Sequence, residues 1–410
     1  MSSSVVSRAS LIRGRTEPTE VRLLVGTRRG LFTLRSTDRR DWALAGPALE
    51  GREVYHAIRD PRTGTLWAAT DHKVWGPHVH RSQDDGSTWE VLDAAPHHED
   101  DRGLKAIWFL APGPTDEPET LWAGIEPAGL FVTRDAGASW EPVSSLNDHP
   151  TRKTWQPAGG GLALGGIQHD PSDERRIYCS VSAGGVYRSD DGGAKWKPLN
   201  KGVRADFLPR PYPKTGQCVH KLRLHPARPE RLYQQNHCGV YRSDDRGESW
   251  IEISAGLPSD FGYALAVDPR DPDVAFVIPE ESSHMRAAVE GKLRVYRSRD
   301  GGASWQVLKR GLPQDNAWIS VLRDAMDTDD GDPTGVYFGT STGHVFASRD
   351  RAETWTLIAG FLPILIYKSF QAVFIFYIFG AQIMKGGIFY AENGLAMRKC
   401  DGLRFIDMRL

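Results

Sequence analysis

Three carboxylates, Glu126, Glu280 and Asp71, follow apolar runs in short polar stretches. Two such groups flanking a glycosidic bond are the catalytic pair of a glycoside hydrolase. Other side chains in corresponding stretches suit a polar or sugar ligand: His56, His72, Lys105, Trp155, Gln217, His220, Lys221, Asn236, His237, Tyr263 and Trp318. The densest chemistry lies in Gln217-Cys218-Val219-His220-Lys221 and Gln235-Asn236-His237-Cys238. The equivalents of the second stretch are small, as in Ser182-Ala183-Gly184-Gly185 and Thr340-Ser341-Thr342-Gly343. A Cys–His nucleophile would put Cys238 beside His220, but it needs a third, orienting group that the sequence does not supply, so a buried thiol is the plainer reading. Six of the 13 histidines (His56, His72, His78, His80, His97 and His98) fall in one 43-residue stretch. Neither their spacing nor that of Cys179, Cys218, Cys238 and Cys400 matches a metal-ligand pattern, so no metal and no cofactor are expected.

The elements that must position these residues are repeats. Ser/Thr-x-Asp-x-Gly-x-Ser/Thr-Trp runs from Ser82 to Trp89, Thr133 to Trp140, Ser189 to Trp196 (with Lys195 seventh), Ser243 to Trp250 and Ser298 to Trp305. A sixth copy, Ser348 to Trp355, carries Ala352 in the glycine place, and a shortened copy runs from Ser36 to Trp42. The tryptophans are 47, 51, 56, 54, 55 and 50 residues apart, so each unit is one supersecondary module. Gly-apolar-aromatic precedes most boxes, as in Gly30-Leu31-Phe32 and Gly239-Val240-Tyr241. Further upstream lie two apolar runs around an Asp-Pro turn, as in Ala264–Val267 and Val274–Ile278. The unit reads strand, turn, strand, loop, strand, box, strand.

The box predicts the hairpin between the third and fourth strands. Its aspartate accepts from turn N–H groups, its glycine supplies a positive φ, and its tryptophan packs into the sheet. Ala352 and the shortened first box should loosen their turns. Units of four strands cannot bury both faces alone but can when arranged radially. The expectation is an all-β, seven-bladed β-propeller with Asp-box hairpins over residues 21–368. The chain enters on a second strand, Val21–Thr27, so a segment after Trp355 must complete the first blade, and Pro363–Ser369 is the candidate.

These boxes resemble the Asp-box, or BNR, repeats of the sialidase-like propellers over roughly residues 21–362, most closely those of bacterial sialidase-like, glycosyl-hydrolase-like proteins. The resemblance implies a fold shared by sialidases, xyloglucan-active glycosidases, sortilin-type receptor domains and a photosystem II assembly factor; fold alone does not give function. Sialidases also carry a Phe/Tyr-Arg-Ile/Leu-Pro motif and six blades. This chain has no such tetrapeptide and seven boxes, which argues against sialidase activity. In such a propeller the boxes lie on one face, and ligand sites are expected on the other, among the loops joining second to third strands and those entering inner strands. The expected function is a carbohydrate- or protein-binding module acting through that loop face. The alternative is a glycoside hydrolase using Glu126, Glu280 or Asp71.

Lysine plus arginine number 51 against 52 acidic residues, and the basic residues are scattered, so no nucleic-acid partner is expected. Four cysteines make no disulfide framework, and no secretory signal is visible, which points to a reducing, cytoplasmic setting. Residues 1–20 read as a disordered leader. Residues 369–410 belong to an apolar tail in which Phe361 to Tyr390 holds 21 apolar or aromatic residues in 30. A membrane helix there is interrupted by Pro363 and Lys368; a packed strand is a second reading; sequence foreign to the repeat, as after a frame change, is the favoured one.

Overall fold

The computed structural model describes residues 20–157, 161–363 and the strand Phe376–Ile378. Residues 1–19, and the tail apart from that strand, lie outside the described residues. Within the described chain are seven four-stranded antiparallel sheets. The inner strands of blades 2 to 7 are Glu53–Arg59, Ala106–Pro112, Leu164–Asp170, Val219–Leu224, Gly262–Val267 and Met326–Thr328, and each packs on the next around a central channel. Several are buried along their whole length, as a strand must be when both sheet faces meet neighbours. Among the described residues no helix is long and apolar enough to cross a membrane.

Blade 1 is completed from the C-terminal side, as the missing inner strand requires. The pairing segment is Phe376–Ile378, with Leu23 opposite Tyr377 and Leu24 opposite Phe376. It is therefore not Pro363–Ser369, of which residues 364–369 lie outside the described residues.

The boxes form the expected hairpins. In blade 3 the Thr133 hydroxyl donates to Asp135 at 2.6 Å and accepts from Gly137 N at 2.9 Å, and Asp135 accepts from both the N–H (2.9 Å) and the hydroxyl (2.6 Å) of Ser139. Blade 7 keeps every one of these bonds with Ala352 at φ +70°, so that turn is not loosened. The shortened first box also closes: Asp38 accepts from Arg40 N and Asp41 N at 2.8 and 2.9 Å. The hairpins of blades 3 to 7 bond back to the turn between the first two strands of their own blade, as in Arg246 N to Glu230 O at 3.0 Å and Gly301 N to Asp273 O at 2.9 Å. Those turns and the boxes therefore share one face.

The boxes also join the blades. A Cβ on Gly302 would lie 2.4 Å from Ile253 of the preceding blade, so the glycine serves close approach as well as its φ. Trp250 and Trp305 donate to Leu199 O and Ile253 O across the same seams, at 2.9 and 2.8 Å. An arginine just ahead of the box reaches into the next blade's hairpin: Arg188 to Arg246 O at 2.6 Å, Arg242 to Gly301 O at 2.6 Å and Arg297 to Arg351 O at 2.5 Å. Arg35 to Asp85 O and Arg81 to Ala136 O make the longer version at 3.4 Å.

Two outcomes follow from these bonds. Arg297 is fully buried and also pairs with Glu353 at 2.6 Å, so Arg297→Ala should cost about 2–4 kcal/mol in urea unfolding, and the half-exposed Arg35→Ala less than about 1 kcal/mol. The hydroxyl and N–H of Thr88 hold the Asp84 carboxyl down at about 2, and Ser139 and Thr133 do the same for Asp135. A depressed carboxylate supports folding above the ordinary range and loses that support as pH falls through its folded value. Circular dichroism should therefore find acid unfolding between about pH 4 and pH 2.

Candidate functional site

The inner strands do not simply line the channel; five of them bulge at the loop-face end. One extra residue is inserted at Tyr55, Trp108, Gly165, His220 and Tyr263, in blades 2 to 6. A bulge re-aims a side chain, and here it sets aromatic and imidazole rings around the channel mouth. Arg323 of blade 7 lies with its guanidinium 5.7 Å from the Trp108 ring and 5.9 Å from the Tyr263 ring, and donates to Val219 O at 3.1 Å. Beneath it Lys221 pairs with Asp324, and Arg223 with Asp327 at 3.1 Å, all buried. Three cations and two carboxylates thus plug the channel.

The sequence-derived carboxylates fall into separate settings. Glu126 accepts from Lys105 Nζ at 2.5 Å and from Trp108 Nε1 at 3.0 Å. A Cβ on Gly161 would lie 2.4 Å from Glu126 Oε1, so that loop's backbone covers the carboxylate. Glu280, 0% exposed, accepts from the Ser320 hydroxyl and from Val321 N at 3.1 Å, and so ties blade 6 to the loop entering blade 7. Glu126 and Glu280 stand on blades 3 and 6, each engaged by its own neighbours. Asp71, half-buried, instead has a carboxylate partner that sequence reasoning missed: Glu53 sits directly opposite it, 3.4 Å from Arg28. Burial pushes the Asp71 carboxyl up, against the N–H of His72. Burial also raises Glu53, opposed by Arg28 and reinforced by Asp71. The missed signal was Glu53 at the head of an inner strand, level with the end of the second.

Blade 5 brings its predicted residues together. His220 stacks on Tyr263 at 4.4 Å between centroids and meets His237 edge-on at 5.6 Å. Phe261 and Phe207 close around His237. Cys218, just ahead of the strand that carries His220, is the cysteine that joins them, and the donor atoms of Cys218, His220 and His237 lie within 4.8 Å of one another. Cys238, buried and with its thiol pushed up by burial, is not in that group.

Several predicted ligand residues are structural. His56 is fully buried, accepts from Leu110 N at 2.9 Å and stacks on Phe109; burial and then Lys221 push its imidazole well down. Trp155 is buried under Arg152 and donates to the Tyr187 hydroxyl at 2.7 Å. Gln217 donates to Pro213 O at 2.7 Å, Asn236 shapes the turn to Cys238, and His72 Nδ1 accepts from Val74 N and Trp75 N. Lys221 belongs to the plug. Trp318 is 52% exposed on the loop entering blade 7.

Exposed aromatic rings sort by face. Among the described residues they are Trp75, Phe207, Tyr212, Trp318 and Phe361, and each lies in a second-to-third-strand loop or a loop leading to an inner strand. Of the exposed aliphatic residues, Leu44, Val91, Ile251, Val307 and Leu357 lie on outer strands, while Val74 and Met285 join the aromatics in second-to-third-strand loops. The box face is not featureless either: a cavity of about 520 Å³ opens there, walled by Ile58, Phe109, Ile167 and Leu224 with Arg62, Asp170 and Glu174.

With this geometry in place, similarity to known proteins narrows the class. Residues 184–314 match the family model described as Sortilin, neurotensin receptor 3. A xyloglucanase of a Paenibacillus species is 25% identical over 275 residues, 57% of this chain and 25% of that protein. An oligoxyloglucan-reducing end-specific xyloglucanase of Emericella nidulans is 25% identical over 257 residues, 55% of this chain and 30% of that one. The Niastella koreensis GH74 enzyme superposes with a TM-score of 0.56 at 16% identity, over 87% of this chain and 57% of that structure. The chain is a seven-bladed β-propeller that is similar, at low identity and over part of its length, to these proteins. Its matched part spans under a third of those curated relatives.

The raised Asp71 gives a measurable sign. A carboxyl raised on folding favours the native state below its ordinary pKa and loses that contribution as pH rises through the folded value. Asp71→Asn should therefore raise Tm relative to the unmodified chain at pH 7, and the gain should vanish by about pH 4 in parallel melts.

Proposed function

We propose that this propeller is a carbohydrate-binding module that engages an oligosaccharide across its loop face. The observation that carries the reading is the gathering of every exposed aromatic ring, among the described residues, on that one face. Flat aromatic surfaces pack against the apolar faces of sugar rings, while the polar groups between them meet hydroxyls. The relatives named as xyloglucanases support a β-glucan as the first ligand to try. A protein ligand would use the same rings, and the test separates the two.

A second reading, glycoside hydrolysis, has one specific observation in its favour. Glu53 and Asp71 are a cross-strand pair, whose Cβ atoms stand about 5 Å apart, and both acids are raised. Glycoside hydrolases work through such a pair of acids.

Xyloglucan and other β-glucan oligosaccharides, titrated by calorimetry, should bind, and Trp318→Ala or Trp75→Ala should each weaken binding about tenfold. Absence of binding to any glycan on an array, or affinities unmoved by both substitutions, sinks the proposal. Release of reducing sugar that Glu53→Gln and Asp71→Asn abolish would establish hydrolysis; no release from any glycan, or release that persists in both, would remove the second reading.

A further inference from the structure

We propose that Cys218, His220 and His237 form a three-ligand site for a zinc-class divalent ion at the mouth of blade 5. The proposal does not depend on the glycan reading. Cys218 and His220 are two residues apart on one segment, and the bulge at His220 turns its ring toward the loop that carries His237. His237 N donates to Cys218 O at 2.9 Å, so the backbone itself holds the third donor against the first. The three donor atoms lie within 4.8 Å of one another. A tetrahedral zinc with one sulfur and two imidazole nitrogens has donors about 3.4–3.6 Å apart, so closing on the ion takes roughly an ångström of side-chain rotation. His237, only half-buried, has the freedom to supply it.

The second, independent observation is at His220. Its side chain is 3% exposed, its Nδ1 is paired with Gly262 O at 2.7 Å, and its Nε2 is buried with no hydrogen-bond partner. A carbonyl acceptor fixes the proton on Nδ1 and leaves the Nε2 lone pair pointing out, which is the arrangement that orients metal-bound histidines. A buried lone pair with nothing to accept is otherwise a cost. Tyr263, Phe261 and Phe207 form a low-dielectric shell. One sulfur and two nitrogens suit zinc better than magnesium or calcium, and three protein ligands leave a fourth position for water or a ligand oxygen.

The test uses the full, untagged chain stripped with chelator, then loaded with Zn²⁺ or Co²⁺ alone. One zinc per chain should survive gel filtration, and the cobalt form should show a thiolate charge-transfer band with tetrahedral d–d absorption. Cys218→Ser should abolish the charge-transfer band, and His237→Ala should weaken binding by more than about 100-fold. Cys238→Ser should leave both unchanged. His237 is half-exposed, so its variant keeps the test open should the buried Cys218→Ser fail to fold. No stoichiometric zinc in the unmodified chain, or retention unaffected by His237→Ala, overturns the proposal.

Discussion

The structure depends on the seams between blades. A four-stranded sheet that is apolar on both faces has no stable existence alone, and each blade here is completed by its neighbours. The recurring device at the seam is a charged clip: the arginine ahead of one box donates to the backbone carbonyl at the crest of the next. That carbonyl belongs to a residue held at positive φ, such as Arg246, Gly301 or Arg351, so turn shape and blade spacing are set together. Tryptophans reaching back across the seam complete the joint from the other side.

The same closure explains why the middle of the ring is polar. Inner strands converge too tightly for large apolar side chains from all blades, and the space is taken by Lys221 with Asp324, Arg223 with Asp327, and Arg323 between Trp108 and Tyr263. Buried charges of this kind persist only when paired. They divide the molecule into an aromatic loop face and a cavity on the box face, which differ in chemistry although they share one set of strands.

The number of blades, the box hairpins and the missing inner strand were all legible because a turn with fixed hydrogen bonds demands fixed residues at fixed spacing. The closing strand was misplaced since a strand supplied in trans to blade 1 needs only to be extended and apolar, which many windows of that tail satisfy. The bulges were invisible: they are a disagreement in count between two strands, and a single strand does not reveal its partner's register. Blade 5 was singled out as chemically dense, with Cys238 set beside His220 and a buried thiol preferred, whereas the cysteine grouped with the two histidines is Cys218. Cys218 lies just ahead of the strand and His220 at its bulge, so alternation along one strand could not have paired them. Glu53 was passed over for a similar reason, as its importance lies in the residue across from it.

Ala352 carries a wider implication. The glycine place tolerates a methyl group in blade 7 at φ +70°, still positive, whereas in blade 6 Ile253 stands where a methyl on Gly302 would go. What looks like a turn signature is therefore partly an imprint of the adjoining blade. A worn copy of the motif therefore need not betray a worn fold: Ala352 is fully buried and its turn keeps all its bonds.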